Sequence, residues 1–302
     1  MSLLHFILDL AALLLWINWR AKPYDALATA TPATLVGTLR RAEARPAKRW
    51  HFLLALLGLL LLRAGLYRIL GPAVNWTAQL NLTATSLAFS SNFLDRMLAF
   101  SLLSFVVTLG VFFLWLLLLS LLAGGAREGF PFFRLARAYL GSVDGWPGWL
   151  KSLLPLTVTG SGWWLLTWAL TAGKLMPAPA TELARLGQAG LVGLGSYLSV
   201  KVMVITLLGL HLLHNHVYFG NQALWLFVDH CAKRLLLPLR PLPLRLGRVD
   251  FAPVAGIVGV IVLTQVAEYG WRPPMKLDAN GRAVPPAYEI PGLVDYFRSI
   301  SR

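Results

Sequence analysis

Among the ionisable side chains inside long apolar runs of this sequence are Asp9, Arg63, Lys201 and Glu268. A charge near the centre of a bilayer is unfavourable by about 2.5–3.5 kcal/mol even on insertion scales, so such residues pair with one another or line a route for ions or protons. Asp9 lies ten residues from Trp19 and Arg63 twelve from His51, which puts them at similar depth if the two runs stand side by side. They are expected to pair. Lys201 has Gln265 and Glu268 nearest in depth on the last apolar run, and a second pair is expected there. The chemistry available is therefore buried pairs that fix helix register, or an ion or proton path through the same groups.

Histidine is the other chemically capable group. The segment "HLLHNH" gathers His211, His214 and His216, with His230 in the following segment. Neutral imidazole ligates metals and haem. Only His211 and His214 are one turn apart, however, and no carboxylate or cysteine keeps a regular spacing with them, so no cofactor is assigned. The sequence has no GxxxxGK[ST], HExxH, CxxC or GxSxG, the motifs of phosphate cradles, zinc proteases, redox pairs and nucleophile elbows. Its polar loops hold too few clustered carboxylates, histidines or nucleophiles for an enzyme, and none is expected. A lone Cys231 excludes an internal disulfide.

The elements that must carry these residues are membrane spans. The 302 residues are 57% hydrophobic and 13% charged, against about 25% charged in soluble domains. Six stretches approach the roughly 20 residues needed to cross hydrocarbon: Leu3–Trp19, His51–Leu70, Met97–Ala123, Leu150–Ala172, Leu186–Leu213 and Phe251–Tyr269. The expected fold is an all-α membrane protein with about six transmembrane helices in three helical hairpins. The fourth stretch is diluted by Lys151, Thr157, Thr159, Gly160 and Gly162. The first carries Asp9 within it and is followed by Arg20 and Lys22, which reads as an uncleaved anchor rather than a signal peptide.

Lysine and arginine collect in cytoplasmic loops, and here they crowd three of them: 20–50, the loop after the third span, and the loop after the fifth. Both ends of the chain are then outside, in the inner (plasma) membrane of a bacterium more readily than in a plastid. The net charge of +14 sits beside apolar runs, so its partner is anionic lipid head groups rather than nucleic acid. The tail 270–302 is polar and proline-bearing, and is expected to be extended.

The same pattern repeats. Each unit is a span, a basic amphipathic cytoplasmic segment and a return span, over 3–70, 97–172 and 186–269. The expected divisions are a first hairpin 1–70, a second, divergent one 71–172, a third 173–269 and the tail 270–302. The middle segments are "PATLVGTLRRAEA", "PFFRLARAYLGSV" and "QALWLFVDHCAKRLLLPLR". In the third, Trp225, Val228, Cys231 and Leu235 share one helical face and Asp229, His230, Lys233 and Arg234 the other, as in a helix lying in the head-group plane. Pro238 ends that helix. Arg240, Arg245 and Arg248, with Lys233 and Arg234, reach lipid phosphates while Leu239, Leu242, Leu244 and Leu246 enter the acyl boundary. Asp250 is placed to cap the last span, with Pro253 still inside its first turn.

At these residues the chain resembles the YggT/YlmG family of small membrane proteins. Pro238-Leu239-Arg240 and Gly247-Arg248-Val249-Asp250-Phe251-Ala252-Pro253 are similar to its Pro-Leu-Arg element and its Gly-x-x-Asp-Phe-x-Pro span opening. The resemblance runs over about 185–269, is fainter over 1–70, where Leu39-Arg40-Arg41 holds the basic position, and is faintest over 97–172. Family members typically carry two such hairpins, and a third is a departure. The resemblance implies a scaffold or assembly role, since bacterial relatives are associated with cell-division factors and osmotic tolerance, and plastid relatives with cytochrome-complex assembly or nucleoid organisation. It supplies no catalytic or cofactor residue. The expected partners are a bilayer with anionic lipids and a membrane protein or second copy of the chain. The alternative expectation is an ion channel or transporter using Asp9, Arg63, Lys201 and Glu268.

Overall fold

The computed structural model describes residues 2–20, 49–124, 130–173, 181–217, 220, 222–246, 249–271, 276–277, 283–284 and 289–301. These residues are mostly helical, and five helical stretches are long and apolar enough to cross a membrane. Hydrocarbon offers no partner to backbone N–H and C=O groups, which makes the self-satisfied helix the natural form for leucine-rich runs of this length. The basic segment 32–44 of the first hairpin lies outside the described residues.

The chain divides into two compact units, Met1–Leu80 with Leu87–Gly110, and Asn81–Ser86 with Val111–Arg302. The long third helix contributes to both units.

In the first unit, α1 (Ser2–Arg20) packs along α2 (Arg49–Ala73), joined by the first part of α3 (Leu94–Ala123). The arrangement of α2 is inside out relative to a soluble helix. Leu54, Leu57, Leu61 and Leu62 are exposed, while Arg63, Ala64 and Tyr67 are fully buried. Apolar faces meet lipid and the polar group is kept for the helix contact. In the last turn of α2, Gly71 lies against the returning chain, where a Cβ would collide with Ser91. A two-stranded pairing of β1 (Ala78–Asn81) and β2 (Ser86–Phe89) follows. Trp76 and Phe89 close on Phe100 with ring centroids 6.1 and 5.8 Å away.

The second unit begins with the last turns of α3. α4 (Pro131–Leu140) opens on a proline, tolerated where the first amides lack helical partners anyway. A 3-10 turn, Gly141–Gly145, leads to α5 (Gly148–Ala172). Then come α6 (Glu182–Leu198), capped by the Thr181 hydroxyl accepting from the Ala184 amide at 3.1 Å, and α7 (Val200–His216). They are followed by α8 (Ala223–Leu235), α9 (Ala252–Tyr269) and α10 (Leu293–Ser301). Short antiparallel pairs β3 (Arg245–Leu246) with β4 (Val249–Asp250), and β5 (Lys276–Leu277) with β6 (Ala283–Val284), precede and follow α9.

α5 and α6 form the tightest pair in this unit. A Cβ on Gly193 would lie 2.8 Å from the Leu156 carbonyl oxygen, and one on Gly160 would lie 3.2 Å from that of Ala189. Small residues at these points let two backbones approach closely, the usual device of membrane helix pairs.

Four features differ from the sequence expectations. The fourth stretch forms a 25-residue helix, α5, yet it is not among the five apolar enough to cross by composition. Its hydroxyls bond back to its own carbonyls, as Thr159 does to Pro155 at 2.6 Å and Thr171 to Thr167 at 2.8 Å. The fifth stretch is 35 residues long, Glu182–His216, about 52 Å as a straight helix against about 30 Å of hydrocarbon. At Ser199 it tightens into one turn that keeps helical angles, φ -69° and ψ -17°; the Ser199 amide bonds to the Ser196 carbonyl three residues back and its hydroxyl donates to the same oxygen at 2.6 Å, a local competition that bends helices. Accordingly α6 packs on α5 and α10, whereas α7 packs on α8 and α9.

The tail ends in a helix rather than an extended strand. Leu293, Val294, Phe297 and Ile300 recur at helical spacing in α10, Phe297 is buried, and the Gln188 amide reaches the Ser301 hydroxyl at 3.1 Å. Lastly, the apolar face of α8 turns into the protein. Phe227, Val228 and Cys231 pack with Leu122, Ala123, Phe133 and Leu207, because the ends of α3 and α7 offer that face a closer apolar surface than lipid.

Candidate functional site: buried charge networks

In the first unit, α1 presents His5 and Asp9 one turn apart, α2 presents Arg63 and Tyr67 one turn apart, and α3 adds Ser104. Arg63 donates from Nη1 to Asp9 Oδ1 at 2.6 Å and from Nη2 to Ser104 Oγ at 3.0 Å. Its Nη2 is also 2.7 Å from His5 Nδ1. Ser104 donates onward to Asp9 at 3.3 Å, and His5 Nε2 is 3.3 Å from Asp9 Oδ2. The Tyr67 hydroxyl lies 3.1 Å from His5 Nδ1. Ring faces of Tyr67 and Phe100 cover the guanidinium at 5.5 and 5.8 Å, an attraction that strengthens once water is excluded. Arg63 is wholly buried, with an anion, a hydroxyl, an imidazole and two rings in place of solvent. Asp9 and Arg63 are thus brought together, while His5, Tyr67 and Ser104 were not singled out in the sequence. His5, one helical turn before Asp9, was the available signal.

A second network lies in the second unit, and sequence reasoning missed it. Ser120 of α3 donates to the Asp144 carboxylate. Lys151 of α5 donates to Ser120 Oγ at 2.8 Å and to the Asp144 carbonyl at 2.6 Å, with its Nζ 3.8 Å from Asp144 Oδ1. Arg137 of α4 donates to Asp144 Oδ2 at 3.2 Å. Ser120, Asp144 and Lys151 are all buried. The turn Gly141–Gly145 makes the cluster by folding Asp144 back under the start of α5. A Gly-rich turn flanked by an acid and a base was its trace in the sequence.

The other expected pair forms just after the tight turn in the fifth stretch. Lys201 Nζ, in the first turn of α7, lies 3.2 Å from Glu268 Oε2 in the last turn of α9. The histidines separate into different tasks. His211 Nδ1 is 3.4 Å from Asp229 Oδ1, His214 stacks on Trp225 at 5.2 Å, and His230 packs against Phe130 and Phe133. His216 Nδ1 lies 2.9 Å from the Leu212 carbonyl. Among the described residues no group of three or more His, Cys, Asp or Glu is placed to hold a metal ion. Cys231 is fully buried, and burial pushes its thiol up to about 12.

The basic residues at the end of α8 and beyond it divide in the same way. Lys233 is exposed and pairs with Asp229 at 2.6 Å. Arg234 is half-buried and lays its guanidinium over Gly124, at the position a Cβ would take, where the chain leaves α3 with φ +49°. A cation there meets the negative end of a helix dipole. Arg240 is exposed beside exposed Leu237 and Leu242, Arg245 is in β3, and Arg248 lies outside the described residues. Asp250 Oδ1 accepts from the Ala252 amide at 2.9 Å. It caps α9 from two residues ahead of the first helical position, with Phe251 between.

Set beside models of known families, curated proteins and solved structures, the chain matches none of them.

Proposed function

We propose that this chain is an integral membrane scaffold or assembly factor of the YggT type, with no enzymatic step of its own, seated in a bacterial inner membrane with both ends outside. It supports a membrane-protein partner or a second copy of itself, in cell division, membrane-complex assembly or stress tolerance. The observation that supports this reading is the closure of Arg63 by Asp9, Ser104 and His5 from neighbouring helices. A guanidinium so enclosed links three helices and sets their register, which is a scaffold's use of a buried charge. Exposed Leu224, Leu226, Leu237 and Leu242 beside exposed Lys233 and Arg240 offer a surface to anionic lipid and to a partner.

A photo-crosslinking residue at Leu226 or Leu242, activated in native membranes, tests it. One discrete protein adduct is expected, and adducts with lipid alone would sink the scaffold reading. The ionisable groups carried within the spans, Asp9 with Arg63 and Lys201 with Glu268, support a second reading as a channel or transporter using these four residues, since such groups mark ion pathways. Proteoliposomes of the wild-type chain are expected to hold an ion gradient. A leak abolished by Lys201→Met with Glu268→Gln would put the second reading first.

A further inference from the structure

A cavity of about 330 Å³ opens in the second unit, between the turn 81–86 and the neighbouring ends of α9 and α10. That is the lower end of the size range of small-molecule sites, roughly 300–1,000 Å³. The turn lines it with three hydroxyl-bearing residues, Thr83, Thr85 and Ser86. α9 contributes Glu268 and Tyr269, and α10 contributes Arg298 with Val294 and Phe297. One acidic, one basic and three hydroxyl-bearing residues thus border a space large enough for a small polar group.

The surroundings indicate depth. Tyr269, Trp271 and Tyr296 are all exposed, within the two segments that frame the cavity. Aromatic rings with a polar edge settle at the level of lipid head groups. The frame is also fixed. Trp271 and Ile290 exchange both backbone hydrogen bonds, at 2.9 and 3.0 Å, tying the end of α9 to the approach to α10. Phe297 is buried against Trp163 with centroids 6.0 Å apart.

We infer that this cavity binds a phosphoethanolamine group, presented as the head group of a zwitterionic lipid. The phosphate accepts from Arg298 and from the Thr83, Thr85 and Ser86 hydroxyls, for which a guanidinium is the favoured charged partner. The primary ammonium donates to Glu268, with the exposed Tyr269 ring beside it as a cation–π surface. Val294 and Phe297 take the first carbons beyond the phosphate. A choline group cannot donate a hydrogen bond to Glu268, and a glycerol head group brings no cation to it. This inference needs a membrane but does not depend on the scaffold reading.

Native mass spectrometry of the full chain in mild detergent tests it, with phosphatidylethanolamine, phosphatidylcholine and phosphatidylglycerol of identical acyl chains as probes. Phosphatidylethanolamine should be retained about tenfold better than the other two, a difference of about 1.4 kcal/mol. Arg298→Gln should lower retention of all three lipids, and Arg298→Lys should restore part of it. Glu268→Gln should remove the preference over phosphatidylcholine. Lys201→Met is the control for the lost ion pair and should keep that preference. Free phosphoethanolamine identifies the source: competition at millimolar concentration shows that the head group suffices, and its failure shows that acyl chains are required. Equal retention of the three lipids, or a preference unmoved by both Arg298→Gln and Glu268→Gln in folded protein, overturns the site.

Discussion

Arg63 on α2 donates to Asp9 on α1 at 2.6 Å with its own side chain wholly out of solvent. Removing one partner strands the other. Asp9→Asn or Arg63→Met alone should cost about 3–5 kcal/mol, whereas replacing both with apolar residues of similar size should recover most of that loss. Thermal unfolding in detergent, followed by tryptophan fluorescence, measures all three variants. A double variant no more stable than either single would mean that the pair is not what joins α1 to α2.

Two glycines of α6 make an internal comparison. A Cβ on Gly193 meets the Leu156 backbone at 2.8 Å, while one on Gly190 meets nothing within 4 Å. Gly193→Ala should therefore force α5 and α6 apart and destabilise by about 1–3 kcal/mol, the usual penalty of overpacking. Gly190→Ala should be neutral or stabilising by up to about 1 kcal/mol, the helix preference of alanine over glycine. Equal effects at the two positions would remove close helix approach as the reason for Gly193.

Cys231 should be inert. Its thiol is buried, and its pKa is raised to about 12 from the usual value near 9, so the reactive thiolate is scarce at pH 8. A membrane-permeant maleimide should leave the folded chain unlabelled and modify it fully after denaturation. Rapid labelling of folded protein would show that α8 detaches from α3 and α7.

Arg240 and Arg234 should respond differently to lipid. Arg240 is exposed among exposed leucines, and each basic residue near an anionic surface contributes about 1 kcal/mol of attraction. Arg240→Gln should raise protease sensitivity of residues 222–246 in anionic nanodiscs at low salt, with no change in neutral ones. Arg234→Gln loosens the end of α3 at Gly124, so its effect should be the same in both. Lipid-independent behaviour of Arg240→Gln would exclude it from the lipid contact.

What could be read from the chain alone follows a physical division. Length and hydropathy expose α2 and α3 directly, and equal depth on adjacent runs was enough to match Asp9 with Arg63. Periodicity identifies a face but not what covers it, and so the buried side of α8 was legible while its seat against α3 and α7 was not. The Ser120–Asp144–Lys151 cluster depends on how five residues of turn fold back, which no period encodes. In α10 the apolar spacing from Leu293 to Ile300 was present but lay in a polar, proline-bearing tail whose composition pointed the other way.

The tight turn at Ser199 sets off α7, with 17 residues, beside α9 with 18, rods of only about 26 and 27 Å. Hydrocarbon of average thickness, about 30 Å, overshoots them by a few ångströms, and the misfit costs fractions of a kcal/mol per ångström. Lipids bordering this hairpin must shorten or splay to meet it. Such a boundary should draw short or unsaturated chains towards itself and disfavour thick, ordered bilayers, a preference for thin membrane expected from the lengths of α7 and α9 alone.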